Sequence, residues 1–257
     1  MYPVREMRPV MSPPGPDTPV MIREPFRFRE TFATILADTP AHVTAAKEGM
    51  IAARQVLEGY IVRDPFFAST FDPYTPDSDE PLILSMARAA SQAGVGPMAT
   101  VAGAIAHAGI VAMQNAGAAF GVIDNGGDIA LVSDRPVRVG VHAGDAPLSD
   151  KIAFIVPPQK DPYGICTSSA TVGPSISFGV ADAVTIFAPD PLAADAWATS
   201  VCNRLREDDR SVLEHLDPAV VHGVFAILGK TVIKWGTIPQ VVPAVVDEQL
   251  ISAGDRL

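Results

Sequence analysis

Basic residues are scarce in this chain: 19 Lys and Arg stand against 29 Asp and Glu, a formal net charge of −10. A grip on nucleic acid depends on neutralising phosphates, so this balance argues against a nucleic-acid partner and against attraction to anionic membrane surfaces. An anionic ligand would have to be held locally, by backbone N–H groups or by a metal, because the global field repels it. Cysteine is nearly absent. Cys166 and Cys202 give neither a CxxC spacing nor a disulfide framework, which points to a reducing, cytoplasmic setting. The start of the chain lacks the apolar core of a signal peptide; residues 1–25 carry seven prolines with Arg5, Glu6 and Arg8 and read as a mobile arm. Aromatics make up only 7% of residues, so a core must be built from Ala, Val, Ile and Leu in closely approaching elements. One long stretch, Val95 to Ile123, has no Asp, Glu, Lys or Arg, but Ala and Gly dominate it and Thr100, His107, Gln114 and Asn115 interrupt it. Its transfer free energy is far below that of a Leu/Ile/Phe run, so a soluble protein with a buried helix is expected rather than a membrane span.

What is present reads as one α+β domain over residues 26–257. Phe26, Phe28, Phe32 and Thr34 alternate with Arg27, Arg29 and Glu30, the period-two signature of a half-buried strand near 26–37. Val43, Ala46, Met50, Ala53, Val56, Leu57 and Tyr60 recur at helical spacing and predict an amphipathic helix from His42 to Tyr60. A proline-rich acidic loop at 71–81 precedes a helix over 82–92, and Pro97 opens an Ala-rich helix to about Gln114. Short strands at 119–123, 129–132, 137–142 and 152–156, separated by NGGD, SDRP and GDAP turns, imply antiparallel meander pairing. Strands at 165–168 and 183–187 follow, then Asp190-Pro191 as cap and first turn of a helix to about Arg206, a hairpin at 224–235 and an edge strand at 238–242.

Four places could carry chemistry. GVGPMA, with Gly94 and Gly96, permits close approach of a phosphate to a helix N-terminus. It satisfies GxGxxA, and with Asp124 ending the next strand it raises a Rossmann-type NAD-binding alternative. The competing reading is a glycine loop that lets helices pack closely. Asp124, Asn125, Gly126, Gly127 and Asp128 form the second; Asn-Gly is an ordinary hairpin turn, but the flanking acids could bind a ribose, an amine or a cation. The third is the tract from Tyr163 to Gly179, with six hydroxyls, Thr167, Ser168, Ser169, Thr171, Ser175 and Ser177, in eleven residues, a neutral cradle for an anion. It has no GxSxG elbow and no neighbouring histidine, so a Ser or Cys166 nucleophile is disfavoured. The fourth is ADAWAT, where a spacing of four puts Asp195 and Thr199 on one helical face as two hard oxygen donors. Mg²⁺ takes few protein ligands and completes its shell with water and phosphate, so the pair suits a Mg²⁺–nucleotide site; alternatively, Asp195 serves the helix dipole. The five histidines fit no metal spacing.

In this order, NGGD, RVGV at 138–141, CTSSATVG and ADAWAT resemble the ApbE superfamily of FAD:protein FMN transferases over roughly residues 94–205. GVGPMATVAGAIA and the SxSFGxADAV string at 175–184 are closer to its uncharacterised ApbE-like branch, found in archaea and some bacteria. The resemblance implies an α+β, T-fold-related domain with a largely antiparallel sheet and covering helices. It implies FAD, FMN or a similar phosphorylated nucleotide as the ligand, with Mg²⁺ at Asp195 and Thr199. Gly126, Gly127, Asp128, Thr167, Ser168 and Ser169 carry over as ligand-loop residues, joined by Gly94 and Gly96 from the residue reading. Transferase or pyrophosphatase chemistry is one expectation; a catalytically silent binding module of the same fold is another. Two departures favour the second. The transferases' Lys-Gly pair and His-Ile-Ile-Asp-Pro segment are missing, with Ala104 near the place of the lysine, and the branch's TSSGTVGHS pattern has Ala170 and Pro174 at its Gly and His. A homo-oligomer is compatible with the sequence.

Overall fold

The computed structural model describes residues 21–170 and 179–245. Its elements run, in chain order, β1 (Ile22–Phe28), β2 (Thr31–Ala37), α1 (Pro40–Arg63), α2 (Phe66–Ser69), α3 (Pro81–Ala93), α4 (Val101–Asn115), β3 (Phe120–Asn125), β4 (Asp128–Ser133), β5 (Val137–Gly140), β6 (Ile152–Val156), β7 (Gln159–Ser168), β8 (Ala183–Ala188), α5 (Pro191–Arg204), β9 (Gly223–Leu228), β10 (Thr231–Gly236) and β11 (Gln240–Pro243). Single 3-10 turns at Pro97–Thr100 and Ser211–His215 complete the set.

Eight strands form one sheet in the order β1-β2-β3-β4-β7-β8-β9-β10, and β11-β6-β5 form a second. Every described pairing is antiparallel. The α+β class with an antiparallel sheet is therefore as expected, and the Rossmann alternative is overturned. A dinucleotide fold needs parallel strands joined through helices. Here the strand after GVGPMA and α4 is β3, which turns directly into β4 as a hairpin with Asn125 opposite Asp128.

Local signals explain most helix boundaries. The Thr39 hydroxyl accepts from His42 N–H at 3.3 Å and Pro40 supplies the first turn, so α1 starts two residues before the predicted His42. Gly94 ends α3 at φ +70, a left-handed cap that non-glycine residues adopt only with strain, and its N–H reaches back to Ala90 and Ser91 carbonyls. At α5 the Asp190 carboxylate accepts from Leu192 N–H at 2.9 Å and Pro191 follows. The helices cover one face of the large sheet: α1 and α4 pack over β1–β4 through Met50, Ile105, Ile110 and Ile123, while α5 packs over β7 and β8 and shares a core with β9, and α3 packs against α5. The small sheet covers the opposite face, where the Phe154 ring meets Phe187 and Phe225 edge-on at centroid distances of 4.8 and 5.2 Å. Such edge-to-face pairs add about 0.5–1.5 kcal/mol each beyond area burial. The segment Pro97–Asn115 is long and apolar enough to cross a membrane, yet half of it is buried in this packing.

Three expectations need correction. The single strand at 26–37 is the β1–β2 hairpin, turned at Arg29 with φ +53; the alternation continues across a turn that contains no Gly, Asn or Pro, so nothing in the pattern marks the reversal. Because β1 begins at Ile22, residues 22–25 belong to the sheet rather than to the Pro-rich arm; residues 1–20 lie outside the described ones. The four short strands after α4 do not form one meander: β5 and β6 leave the large sheet for the small one, and β4 pairs with β7 instead.

Candidate functional site

The site is built where the β3–β4 turn, the end of β7, the start of α4 and the middle of α5 converge. Gly126 and Gly127 have φ of +70 and +101, the left-handed backbone that this two-residue hairpin turn requires. Their geometry leaves Asp124 and Asp128 flanking the turn, and Gly127 N–H donates to Asp124 Oδ1 at 2.9 Å. Asn125 is buried and its side-chain amide donates to the Ala102 carbonyl at 3.1 Å, tying the turn to the first residues of α4.

Asp128 faces Cys166 in the β4–β7 register, and its Oδ1 accepts from Thr167 N–H at 3.2 Å. The Thr167 hydroxyl shares a hydrogen bond with that of Thr185 on β8 at 2.9 Å. From the other side, α5 presents Asp195, 7% exposed, whose Oδ2 accepts from Gly103 N–H at 2.8 Å. This approach requires glycine: a Cβ on Gly103 would lie 2.5 Å from the Pro191 carbonyl oxygen and 2.9 Å from Asp195 Cβ. Thr199 lies one turn further along α5 and is half-buried, as is Ser168, the last residue of β7. Ser169 follows it directly.

Electrostatics make this place unlike the rest of the molecule. Burial pushes the Asp195 carboxyl up to about 7, and the N–H groups of Gly103 and Ala102 offset part of that rise. Asp128 is also raised well above the ordinary carboxylate range, by desolvation first and then by the neighbouring charges of Asp195 and Asp124. Burial and the same two neighbours, Asp128 and Asp195, drive the Cys166 thiol upward, so it is a protonated, buried group and a poor nucleophile. Among the described residues no ion pair reaches Asp128 or Asp195. Two neighbouring carboxylates, one buried and one half-buried, disfavour being ionised together unless a proton or a cation offsets the repulsion. No group of three or more His, Cys, Asp and Glu among the described residues is arranged to hold a metal, so a cation here would rely on two carboxylates, hydroxyls and groups from solvent or ligand.

The structure thus brings together Gly126, Gly127, Asp128, Thr167 and Asp195, with Ser168 at the same strand end and Thr199 on the same helix. Gly94 and Gly96 do other work: Gly94 caps α3, and a Cβ on Gly96 would lie 2.1 Å from the Thr70 carbonyl oxygen, so this loop permits close packing of backbone on backbone. Thr171, Ser175 and Ser177 lie outside the described residues. Sequence reasoning missed the parts played by Asn125, Ala102, Gly103 and Thr185. A signal for Gly103 existed, since a glycine inside a helix costs about 1 kcal/mol against alanine and its presence hints at a close approach. Nothing local signals Thr185, which meets Thr167 only through strand pairing.

Comparison with known proteins bears on this arrangement. The family model described as "AbpE bacteria" matches residues 26–222, more than three-quarters of the chain. The chain belongs to this ApbE-like family. Relatives named UPF0280 protein share 77% identity over 238 residues in Methanoregula boonei and 59% over 235 in Methanosphaerula palustris. These alignments cover 92% and 91% of this chain and 100% and 99% of the relatives. Among solved structures, the flavinyl transferase ApbE of Pseudomonas stutzeri, in its apo form, superposes with a TM-score of 0.54 at 13% identity, over 84% of this chain and 94% of that one. At that identity the match establishes a shared fold. For the ApbE-like family member described here, the resemblance drawn from NGGD, TSS and ADAWAT therefore coincides with the family found by comparison.

Proposed function

We propose that this protein binds a phosphorylated nucleotide, a flavin nucleotide foremost, together with Mg²⁺ held by Asp195 and Thr199. The observation that carries the reading is the buried Asp195 carboxylate beside the half-buried Asp128, without a described cationic partner, next to a strand end that offers hydroxyls and N–H groups. The donor set fits a hard divalent ion: carboxylate and hydroxyl oxygens are the candidate ligands, the neighbouring Cys166 thiol stays protonated, and Mg²⁺ keeps several positions for water and phosphate. Bound there, the ion would supply the positive charge that the acidic surroundings of a phosphate otherwise lack. The chain's own part is to hold Asp195 through Gly103 N–H, to fix Asp128 against Thr167 N–H, and to present the Ser168–Ser169 hydroxyls to the ligand. The flavin assignment draws on the printed function of the Pseudomonas stutzeri relative in fold.

Ligand linkage tests this directly. A ligand present at 100 times its Kd stabilises the folded state by about 2.7 kcal/mol, so FAD, FMN or ADP with Mg²⁺ should raise Tm by several degrees. Asp195→Ala should abolish the Mg²⁺-dependent part of the rise. Absence of a shift with all three nucleotides would refute the reading, and an unchanged metal response in the variant would remove Asp195 from the site.

A catalytically silent module of the same fold is the second reading. Ala104, fully buried on α4, favours it, because it stands where the transferases carry a lysine and no base replaces it in the core. Incubation with FAD, Mg²⁺ and an acceptor peptide separates the two, since FMN transfer adds mass to the peptide and binding alone does not.

A further inference from the structure

At the opposite end of β7 from Thr167, the large and small sheets part around a cavity of about 520 Å³. Tyr163 on its floor and Thr167 are four residues apart along one strand, so the cavity lies roughly 13 Å from the carboxylate site. Three features mark it as built rather than incidental. No residue lining it carries a formal charge at neutral pH, in a protein with 48 charged side chains. Four prolines stiffen its walls, so it does not need to be formed on binding. And a polar pair stands inside it: the phenol of Tyr163, 8% exposed, lies 3.3 Å from His222 Nδ1, with the two rings 5.7 Å apart.

The backbone around His222 is clamped on both sides. Its N–H donates to the Phe187 carbonyl at 2.8 Å, and its own carbonyl accepts from Thr237 N–H at 2.7 Å. Gly223, the next residue, leaves no space for a Cβ, which would lie 2.3 Å from the Thr237 carbonyl oxygen. The exposed imidazole is therefore presented from a rigid position. The Tyr163 hydroxyl and His222 Nδ1 share a hydrogen bond, and in the tautomer protonated at Nε2 the ring offers one outward donor.

We infer that this cavity is a second ligand site that takes an uncharged, flat heteroaromatic molecule bearing a hydrogen-bond acceptor. Its volume falls in the range of small-molecule pockets, about 300–1,000 Å³. The lining supplies no opposite charge to a phosphate, a carboxylate or an ammonium group, each of which would exchange its hydration for a few neutral partners only. Proline and aromatic faces favour a planar ring, the His222 N–H supplies the matching donor, and Ile238 supplies an apolar wall. The inference is independent of the nucleotide reading, and the two can fail separately.

The test titrates the full chain with lumichrome and with caffeine, two neutral fused-ring heterocycles with carbonyl acceptors, by calorimetry and ligand-observed NMR. Saturable one-to-one binding of at least one is expected. His222→Phe should weaken it about tenfold, the factor of one hydrogen bond, and Ile238→Glu should abolish it. Gln240→Glu, at an exposed strand position, introduces the charge with little risk to folding and should weaken binding at least as much as His222→Phe. Asp195→Ala should leave the affinity unchanged. The inference is overturned if neither compound saturates, if binding ignores both His222→Phe and Gln240→Glu, or if Asp195→Ala removes it.

Discussion

Raising the pH should destabilise the cation-free protein across the range in which Asp195 loses its proton, and Asp195→Asn should remove that loss. Asp195 has a folded-state pKa of about 7 against an ordinary 3.8. Between those two values the native state holds one more proton than the unfolded chain, so stability falls with rising pH by about 1.4 kcal/mol per unit. The favourable contribution is fully present below the ordinary value and is lost by the time the pH has passed the folded value. The full span amounts to about 4 kcal/mol, a large fraction of a typical domain's stability. Asparagine keeps an acceptor for Gly103 N–H but has no charge to bury. Urea denaturation in EDTA at pH 5 and at pH 8 measures the effect: wild type should lose about 2–3 kcal/mol between them, and Asp195→Asn should lose markedly less. The raised Asp128 acts in the same direction and leaves the variant a residual slope. Mg²⁺ should flatten the wild-type curve by favouring the ionised carboxylate. Parallel curves for wild type and variant would refute the account of Asp195 as a buried acid that waits for a cation.

Two further outcomes follow from the packing. Gly103→Ala forces a methyl group against the Pro191 carbonyl and Asp195 Cβ, so α4 and α5 must separate; a loss of about 1–3 kcal/mol in chemical denaturation is expected, with a weaker Mg²⁺ response because Asp195 loses its fixed partner. Phe154→Ala removes the ring that joins the small sheet to Phe187 and Phe225 and should cost about 3–5 kcal/mol, read as a fall in the urea midpoint with little change in its slope.

Sequence alone determined what depends on neighbours along the chain. Helices α1, α3 and α5 were legible because their caps and prolines, Thr39-Pro40, Pro81 with Gly94, and Asp190-Pro191, act within a few residues of where they stand. The NGGD hairpin was legible because paired positive-φ residues demand glycine, and the order of NGGD, TSS and ADAWAT was enough to indicate the family. Tertiary structure alone decided three other matters. The Arg29 turn carries no turn residue, so only pairing across β1 and β2 reveals it. The departure of β5 and β6 to a second sheet depends on which face of the large sheet needs covering, a matter of the whole core rather than of the strands' own alternation. Most consequential for function, Asp128 and Asp195 are 67 positions apart, and although each stands out as a candidate in its own segment, nothing local shows that they become neighbours. Burial is a property of the assembled fold, and only when β4 and α5 close on one another is Asp195 buried with the half-buried Asp128 beside it, and both carboxyls raised above their ordinary range.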